Sequence, residues 1–453
     1  MTRNMTEGNP AKLILTFTIP LLIGNVFQQL YSMADTLIVG RTIGVNALAA
    51  VGCTGSIVFL ILGFAQGATG GLAIITAQRF GAGDERGVRR SVTAGIWISL
   101  LITVVLTAFS VPLTGKFLEL LQTPEEIMDD ASKYLIIIFA GIFASMLYNL
   151  LSNIIRALGD SKTPLLFLVA ACILNIILDY AFILVVHMGV EGAAWATIIA
   201  QLFAGLLCFG HIWKKLPVLR LTKEDWRVSG WELGQHMKVA LPMGFQMSII
   251  AIGAVVLQYV LNGLGAVAVA AFTAAQKIDQ IASQPMNSFG TTMGTFAAQN
   301  YGAGRIDRIK KGVLQCSLIS VGFALVMGLV NILAGYQLAG LFVGNEAAEV
   351  LGMAQLYLKI NGTFYWVLAM LFIFRYTMQG LGRSVVPTVA GIMELIMRTA
   401  AALLLASSIG FAGASWASPL AWIGACIPLG IDYILTIRNL QRKQLTISGE
   451  LSG

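Results

Sequence analysis

What most constrains this chain is a succession of apolar runs, each long enough to cross a lipid bilayer as a helix. Crossing the hydrocarbon core takes about 20 apolar residues. Such runs recur twelve times, at roughly 12–38, 46–76, 91–113, 131–153, 163–186, 191–212, 237–261, 266–297, 312–334, 353–376, 385–407 and 412–436. Only 11% of the 453 residues are charged, and mean hydropathy is +0.80. Soluble domains carry about 25% charged residues. The expected fold is therefore an all-α polytopic membrane protein with twelve transmembrane helices.

The charges that remain are sorted by side. On this layout 23 of the 29 Lys and Arg residues fall on one face of the membrane. They include Arg79, Arg86, Arg89 and Arg90, six residues between Lys214 and Lys238, and the pair Arg375 and Arg383. The other face holds Arg41, Lys116 and Lys133 beside an acidic stretch of Glu119, Glu125, Glu126, Asp129 and Asp130. Basic loops stay inside, so the rich face is cytoplasmic, and an even number of spans puts both termini there. The net charge of +7 thus sets topology, and no nucleic-acid partner is expected. Five cysteines lie in or beside apolar runs without a CxxC pair, which reads as inert thiols. His187, His211 and His236 stand at run ends without a Cys or Ser constellation, and no Walker A motif occurs. Neither enzymatic chemistry nor a cofactor is expected.

An internal repeat organises the runs. QRFGAGDERGVRR (78–90) matches QNYGAGRIDRIKK (299–311), RALGDSKTP (156–164) matches QGLGRSVVP (379–387), and GAAWAT (192–197) matches GASWAS (413–418). The three offsets run from 221 to 223. Each half then has six helices, and because six is even the halves form parallel repeats about an axis along the membrane normal. The expectation is two six-helix lobes related by pseudo-twofold symmetry, with a cleft between them. The first lobe spans 1–212, a polar linker 213–236, and the second lobe with a short tail 237–453.

Intramembrane polar residues are the default functional candidates, because a carboxylate at a helix centre costs about 2.5–3.5 kcal/mol on insertion scales. In LNIILDY (174–180), Asn175 and Asp179 are four residues apart and share a helix face. Asp179 stands nine residues before Met188 and Thr197 nine after, so they face each other across a helical hairpin. Asp35 precedes the turn near Gly40–Gly44 by five to nine residues, which puts both aspartates on the order of 10 Å inside the external end. Asp35, Asn175, Asp179 and Thr197 make an all-oxygen set suited to a proton or to a hard monovalent cation such as Na+. Projected into the second half, Asp35 falls near Val256 or Leu257 and Asp179 near Ala400 to Ala402, and only Thr197 keeps a polar mate, Ser418. The carboxylates belong to the first lobe alone.

The second half has charges of its own. Lys277 and Asp279 interrupt the eighth run, where Gln276, Gln280 and Gln284 form a stripe at helical spacing, followed by Met286. Glu394 and Arg398 are an i,i+4 pair in the eleventh. Two readings stay open: an internal ion pair that fixes packing, or a polar network that lines a substrate cleft. Pro20, inside the first run, removes an amide from the helical ladder and permits a bend.

On these residues the chain resembles the MATE (multidrug and toxic-compound extrusion) family over its whole length. It is most similar to the prokaryotic branch named after the DNA-damage-inducible F protein. The resemblance implies that Asp35 works with Asn175, Asp179 and Thr197 as a cation-coupling set and that helix 1 bends at Pro20. It differs from the branch named for norfloxacin resistance, whose acids on helices 7 and 10 have no counterpart in 237–261 or 353–376. The implied function is secondary efflux of small amphipathic or cationic drugs against H+ or Na+, by a rocker-switch mechanism. The implied setting is a monomer in the cytoplasmic membrane of a prokaryote. The alternative within the same superfamily is a flippase for lipid-linked oligosaccharides or other lipids.

Overall fold

The computed structural model describes residues 4–343 and 347–450, which are helical throughout apart from short turns and one connecting segment, with no strand among them. They form fourteen helices: α1 (Pro10–Thr42), α2 (Val45–Gly81), α3 (Glu85–Leu120), α4 (Glu125–Ala140), α5 (Ile142–Ala157), α6 (Lys162–Tyr180), α7 (Val190–Lys215), α8 (Gly230–Gly263), α9 (Ala266–Gly302), α10 (Ile306–Val343), α11 (Ala348–Thr363), α12 (Tyr365–Gly380), α13 (Val385–Ile409) and α14 (Phe411–Glu450). Nine described helices are long and apolar enough to cross a membrane, and two bent pairs bring the number to eleven. The one remaining run, the eighth, forms α9, which is 37 residues long, but Gln276, Lys277, Asp279 and Gln280 dilute its hydropathy.

Two of the predicted runs are broken. The fourth divides into α4 and α5, bent by 45° at Gly141, and the tenth into α11 and α12, bent by 50° at Phe364. At Gly141 the Ile198 side chain of α7 occupies the place a Cβ would need. At the second break Gly362 lies backbone to backbone against Gly328 of α10, and Phe364 sets its ring edge-on to Trp416. The acidic stretch 125–130, expected in a loop, forms the first turns of α4.

The matching sequence motifs are matching helix caps. Gly83 has φ +72° and Gly304 φ +69°, a left-handed conformation that costs glycine nothing and other residues about 1–2 kcal/mol. After α2, Gly83 N–H donates to Phe80 O and Asp84 N–H to Arg79 O; after α9, Gly304 N–H donates to Tyr301 O and Arg305 N–H to Asn300 O. Both pairs are Schellman caps. The ALGD and GLGR motifs repeat the pattern at Gly159 and Gly382, with φ +84° and +77°. The turn glycines Gly44 and Gly265, and Gly189 and Gly410, also recur in register with positive φ.

The chain forms two compact units. One takes in Ile19–Ser248; the other takes in Met5–Thr18 and everything from Ile249 onward. Each unit thus contains the opening part of the helix that leads the other repeat. In the second, Thr18 at the start of α1 shares a 2.8 Å hydrogen bond with Thr292 of α9. In the first, the start of α8 abuts α2 so closely that a Cβ on Gly71 would stand 2.7 Å from the Cα of Ala240. Gly67 and Gly71, four apart, give α2 the small-residue face that lets helices approach in lipid.

The connection between α7 and α8 is docked on the first unit. Arg89 pairs with Asp225 at 3.1 Å, Arg90 with Glu232 at 2.8 Å, and Trp97 meets Trp226 edge-on at 6.0 Å between centroids. Burial acts against the Asp225 charge. The Thr222 backbone N–H and hydroxyl, with Arg89, outweigh it and hold the carboxyl below its usual range.

Candidate carboxylate site of the first unit

Four helices of the first unit bring polar side chains to one place. α1 carries Tyr31 and Asp35 on one face, α6 carries Asn175 and Asp179 on one face, α4 supplies Tyr134 and α7 supplies Thr197. α6 ends just beyond Asp179 in a wider π turn, Ala181–Val185, where Val186 N–H reaches back to Ala181 O at 3.0 Å. Gly189, φ +64°, then starts α7. Such turns concentrate at functional positions.

The carboxyl groups of Asp35 and Asp179 are immediate neighbours, close enough to share one proton. Asp179 and Asn175 have no exposed surface, and Asp35 is 9% exposed. Neither aspartate is a water-reaching residue. Asp35 Oδ1, both carboxyl oxygens of Asp179 and both amide atoms of Asn175 are buried without a hydrogen-bond partner. Thr197 bonds the Tyr31 hydroxyl at 3.1 Å, and Tyr31 and Tyr134 both lie within electrostatic reach of the two carboxyls. Leaving a buried charge unpaired costs several kcal/mol (about 3–5 when a partner is removed). Two carboxylates in one dry space cannot both be ionised at no cost. The arrangement therefore favours taking up a proton or a small cation between them.

The charges of the second unit are arranged differently. Glu394 is buried and doubly bound, to Arg375 at 2.6 Å and to Arg398 at 2.8 Å. This corrects the placement of Arg375 among the cytoplasmic loop residues: its side chain is 4% exposed, inside α12. Asp279 Oδ1 accepts the Tyr365 hydroxyl at 2.6 Å, and that oxygen takes an amide hydrogen from Asn331 at 2.8 Å. Along α9, Gln276 and Gln284 are half-buried and Lys277 and Gln280 exposed. Met286 has no exposed surface and packs in a core cluster with Ala282, Tyr365 and Leu371. It is interior rather than lining. Pro20 is buried, and α1 continues through it.

Sequence reasoning missed Tyr31, Tyr134, Tyr365 and Asn331. Tyr31 was accessible to it, since it stands one turn before Asp35 on the same face; Tyr134 reaches the site only through the fold. A cavity of about 300 Å³ elsewhere in the first unit has Arg79, Asp84, Arg90, Ser91, Glu232 and His236 in its walls. Its charges are already matched, Arg79 to Asp84 and Arg90 to Glu232. His236 is held on both ring nitrogens, by Ser91 and by Glu232 O, at 2.8 Å each.

Comparison with known proteins agrees with this architecture. The MatE family model matches residues 20–181 and 242–404, two segments in the register of the repeat. A probable multidrug resistance protein of Bacillus subtilis, YpnP, is 34% identical over 308 residues, covering 68% of each chain. The multidrug export protein MepA of Staphylococcus saprophyticus is 24% identical over 441 residues, covering 96% of each chain. A solved structure titled as an outward-facing multidrug resistance MATE family transporter superposes with TM-score 0.90 at 25% identity, covering 96% of this chain and 98% of that one. Another, a MATE protein in complex with MaL6, gives TM-score 0.90 at 25% identity over 98% of this chain and 100% of that one. With the helices, the repeat and the family model in agreement, this chain is a multi-pass membrane protein that belongs to the MATE family of transporters.

Proposed function

We propose that the protein exports small amphipathic or cationic compounds by exchange against a cation that binds at Asp35 and Asp179. One observation carries this reading: two neighbouring carboxyl groups, buried in one unit with unpartnered oxygens. H+ is the favoured coupling ion, because two adjacent carboxyls can hold one proton between them. Na+ would need its oxygen shell completed, and Asn175 and Thr197 are the nearest candidates in sequence position. In the proposed cycle the compound is taken up from the cytoplasm and the repeats rock to expose it outward. The external cation then binds the pair, and the bend at Pro20 accompanies release. Both termini lie in the cytoplasm of a prokaryotic cell, as the basic loops require.

The test is transport in proteoliposomes under an imposed pH gradient or, separately, a sodium gradient. Asp35→Asn removes one half of the pair and should lower gradient-driven transport by about 100-fold, roughly 2.8 kcal/mol at 1.4 kcal/mol per decade, with folding intact. Full transport by Asp35→Asn under both gradients sinks the coupling reading.

A further inference from the structure

The second unit offers two carboxylates on its helices, Glu394 buried and Asp279 half-buried, and geometry separates their roles. Glu394 is consumed: each oxygen is taken by a guanidinium, Arg375 on one and Arg398 on the other. Asp279 is not. Its Oδ1 accepts only the neutral Tyr365 hydroxyl, at 2.6 Å. Tyr365 and Asn331, which donates to it, have no exposed surface. That buried pair fixes the orientation of the carboxylate from behind.

The other oxygen, Oδ2, accepts no hydrogen bond, and unlike those of Asp179 it is not sealed in the interior. Among the described residues no basic side chain lies within ion-pair distance of Asp279. Arg398 is near enough to be felt electrostatically but spends its guanidinium on Glu394. Lys277, two positions away on α9, points to a different side of the helix and is exposed. A carboxylate with one oxygen pinned and one free, and with no cation of its own, is the geometry of a recognition group. A charge-assisted contact to that oxygen is about twice as strong as a neutral one. Asp35 and Asp179, by contrast, face each other.

We propose that Asp279 is the counter-charge for the cationic group of transported compounds, with Tyr365 and Asn331 as its positioning residues. A lipophilic monovalent cation docks against the free oxygen of Asp279 in the second unit, while the coupling ion uses the carboxyl pair of the first. The proposal rests on the efflux reading and adds to it the residue that recognises the charge of the cargo and its place.

Binding of tetraphenylphosphonium, a permanent organic cation, and of triphenylphosphine oxide, a neutral relative, would be measured on the full chain in lipid nanodiscs. Asp279→Asn should weaken tetraphenylphosphonium by about tenfold or more, one lost charged contact, and leave triphenylphosphine oxide unchanged. Asp279→Glu should stay within about threefold of the parent, and Tyr365→Phe should lose about threefold for the cation alone. Unchanged cation binding by Asp279→Asn overturns the proposal, as does equal loss of both ligands. Should Asp279→Asn not fold, Tyr365→Phe decides: cation-selective loss supports the proposal and unchanged binding overturns it. Asp35→Asn is read in gradient-driven transport alone, where it should fail. A failure of the coupling reading therefore appears in a different variant and a different assay.

Discussion

Set side by side, the two repeats share a backbone and divide their charges. Positive-φ glycines recur in register at four places, and the span broken at Gly141 has its counterpart broken at Phe364. Where the first repeat has Asp35 and Asp179, the second has Val256 and Ala400 to Ala402. Where the second has Asp279 and Arg375, the first has Val58 and Ser152. The shared frame is held by caps and close helix contacts that need no ionised group. A charge present in only one copy is therefore not demanded by the frame. The copies also differ in how far charge is satisfied. Glu394 is neutralised twice over, whereas Asp179 keeps both oxygens unpartnered. The first pattern is closed on itself, and the second leaves acceptors unused.

Three measurements put that contrast at risk. Glu394→Gln should be the most damaging, because it strands the buried guanidinium of Arg375 and the half-buried one of Arg398. A loss of about 3–5 kcal/mol is expected, read as a large fall in melting temperature in detergent; a drop of only a degree or two would place Glu394 with the ligand-seeking carboxylates. Next, Gly83→Ala and Gly304→Ala should each cost about 1 kcal/mol, and by similar amounts, if one frame underlies both repeats. Melting curves of the two proteins test this, and strongly unequal losses would mean the caps are not equivalent. The smallest effect concerns the connection that belongs with the first unit only. Asp225 has a folded carboxyl held below its usual range, so its contribution is complete above the unfolded value of about 3.9. It is lost as pH falls through the lower folded value. Amide exchange in residues 216–229 should rise in that acid window, and Asp225→Asn should raise it at neutral pH. A flat profile would show that the connection is held by the Trp97–Trp226 contact instead.

Much of this was legible in the sequence because its signals are local. Apolar length announces a span, and GAG or LGD announces a cap whose left-handed residue has to be glycine. Asn175 and Asp179 declared a shared face through their spacing alone. What stayed hidden depends on contacts between distant segments. Asn361–Gly362 beside Phe364 is a turn signal lost inside a long apolar run, and only the fold shows Gly362 set against the backbone of Gly328. Tyr134 stands among acidic residues and Arg375 five residues before a cap, and both read as near-surface positions. The fold turns the first toward the carboxyl pair and the second onto Glu394. Met286 follows a polar stripe in the sequence, yet packing makes it core.

The exchange of leading segments, Met5–Thr18 on one side and the start of α8 on the other, has a mechanical corollary. Two unbroken helices, α1 and α8, each begin in one unit and finish in the other. Near each crossing lies a proline, Pro20 in α1 and Pro242 in α8, where the ladder already lacks a rung. The duplication thus leaves each unit-crossing helix with one rung missing beside the point where it changes unit.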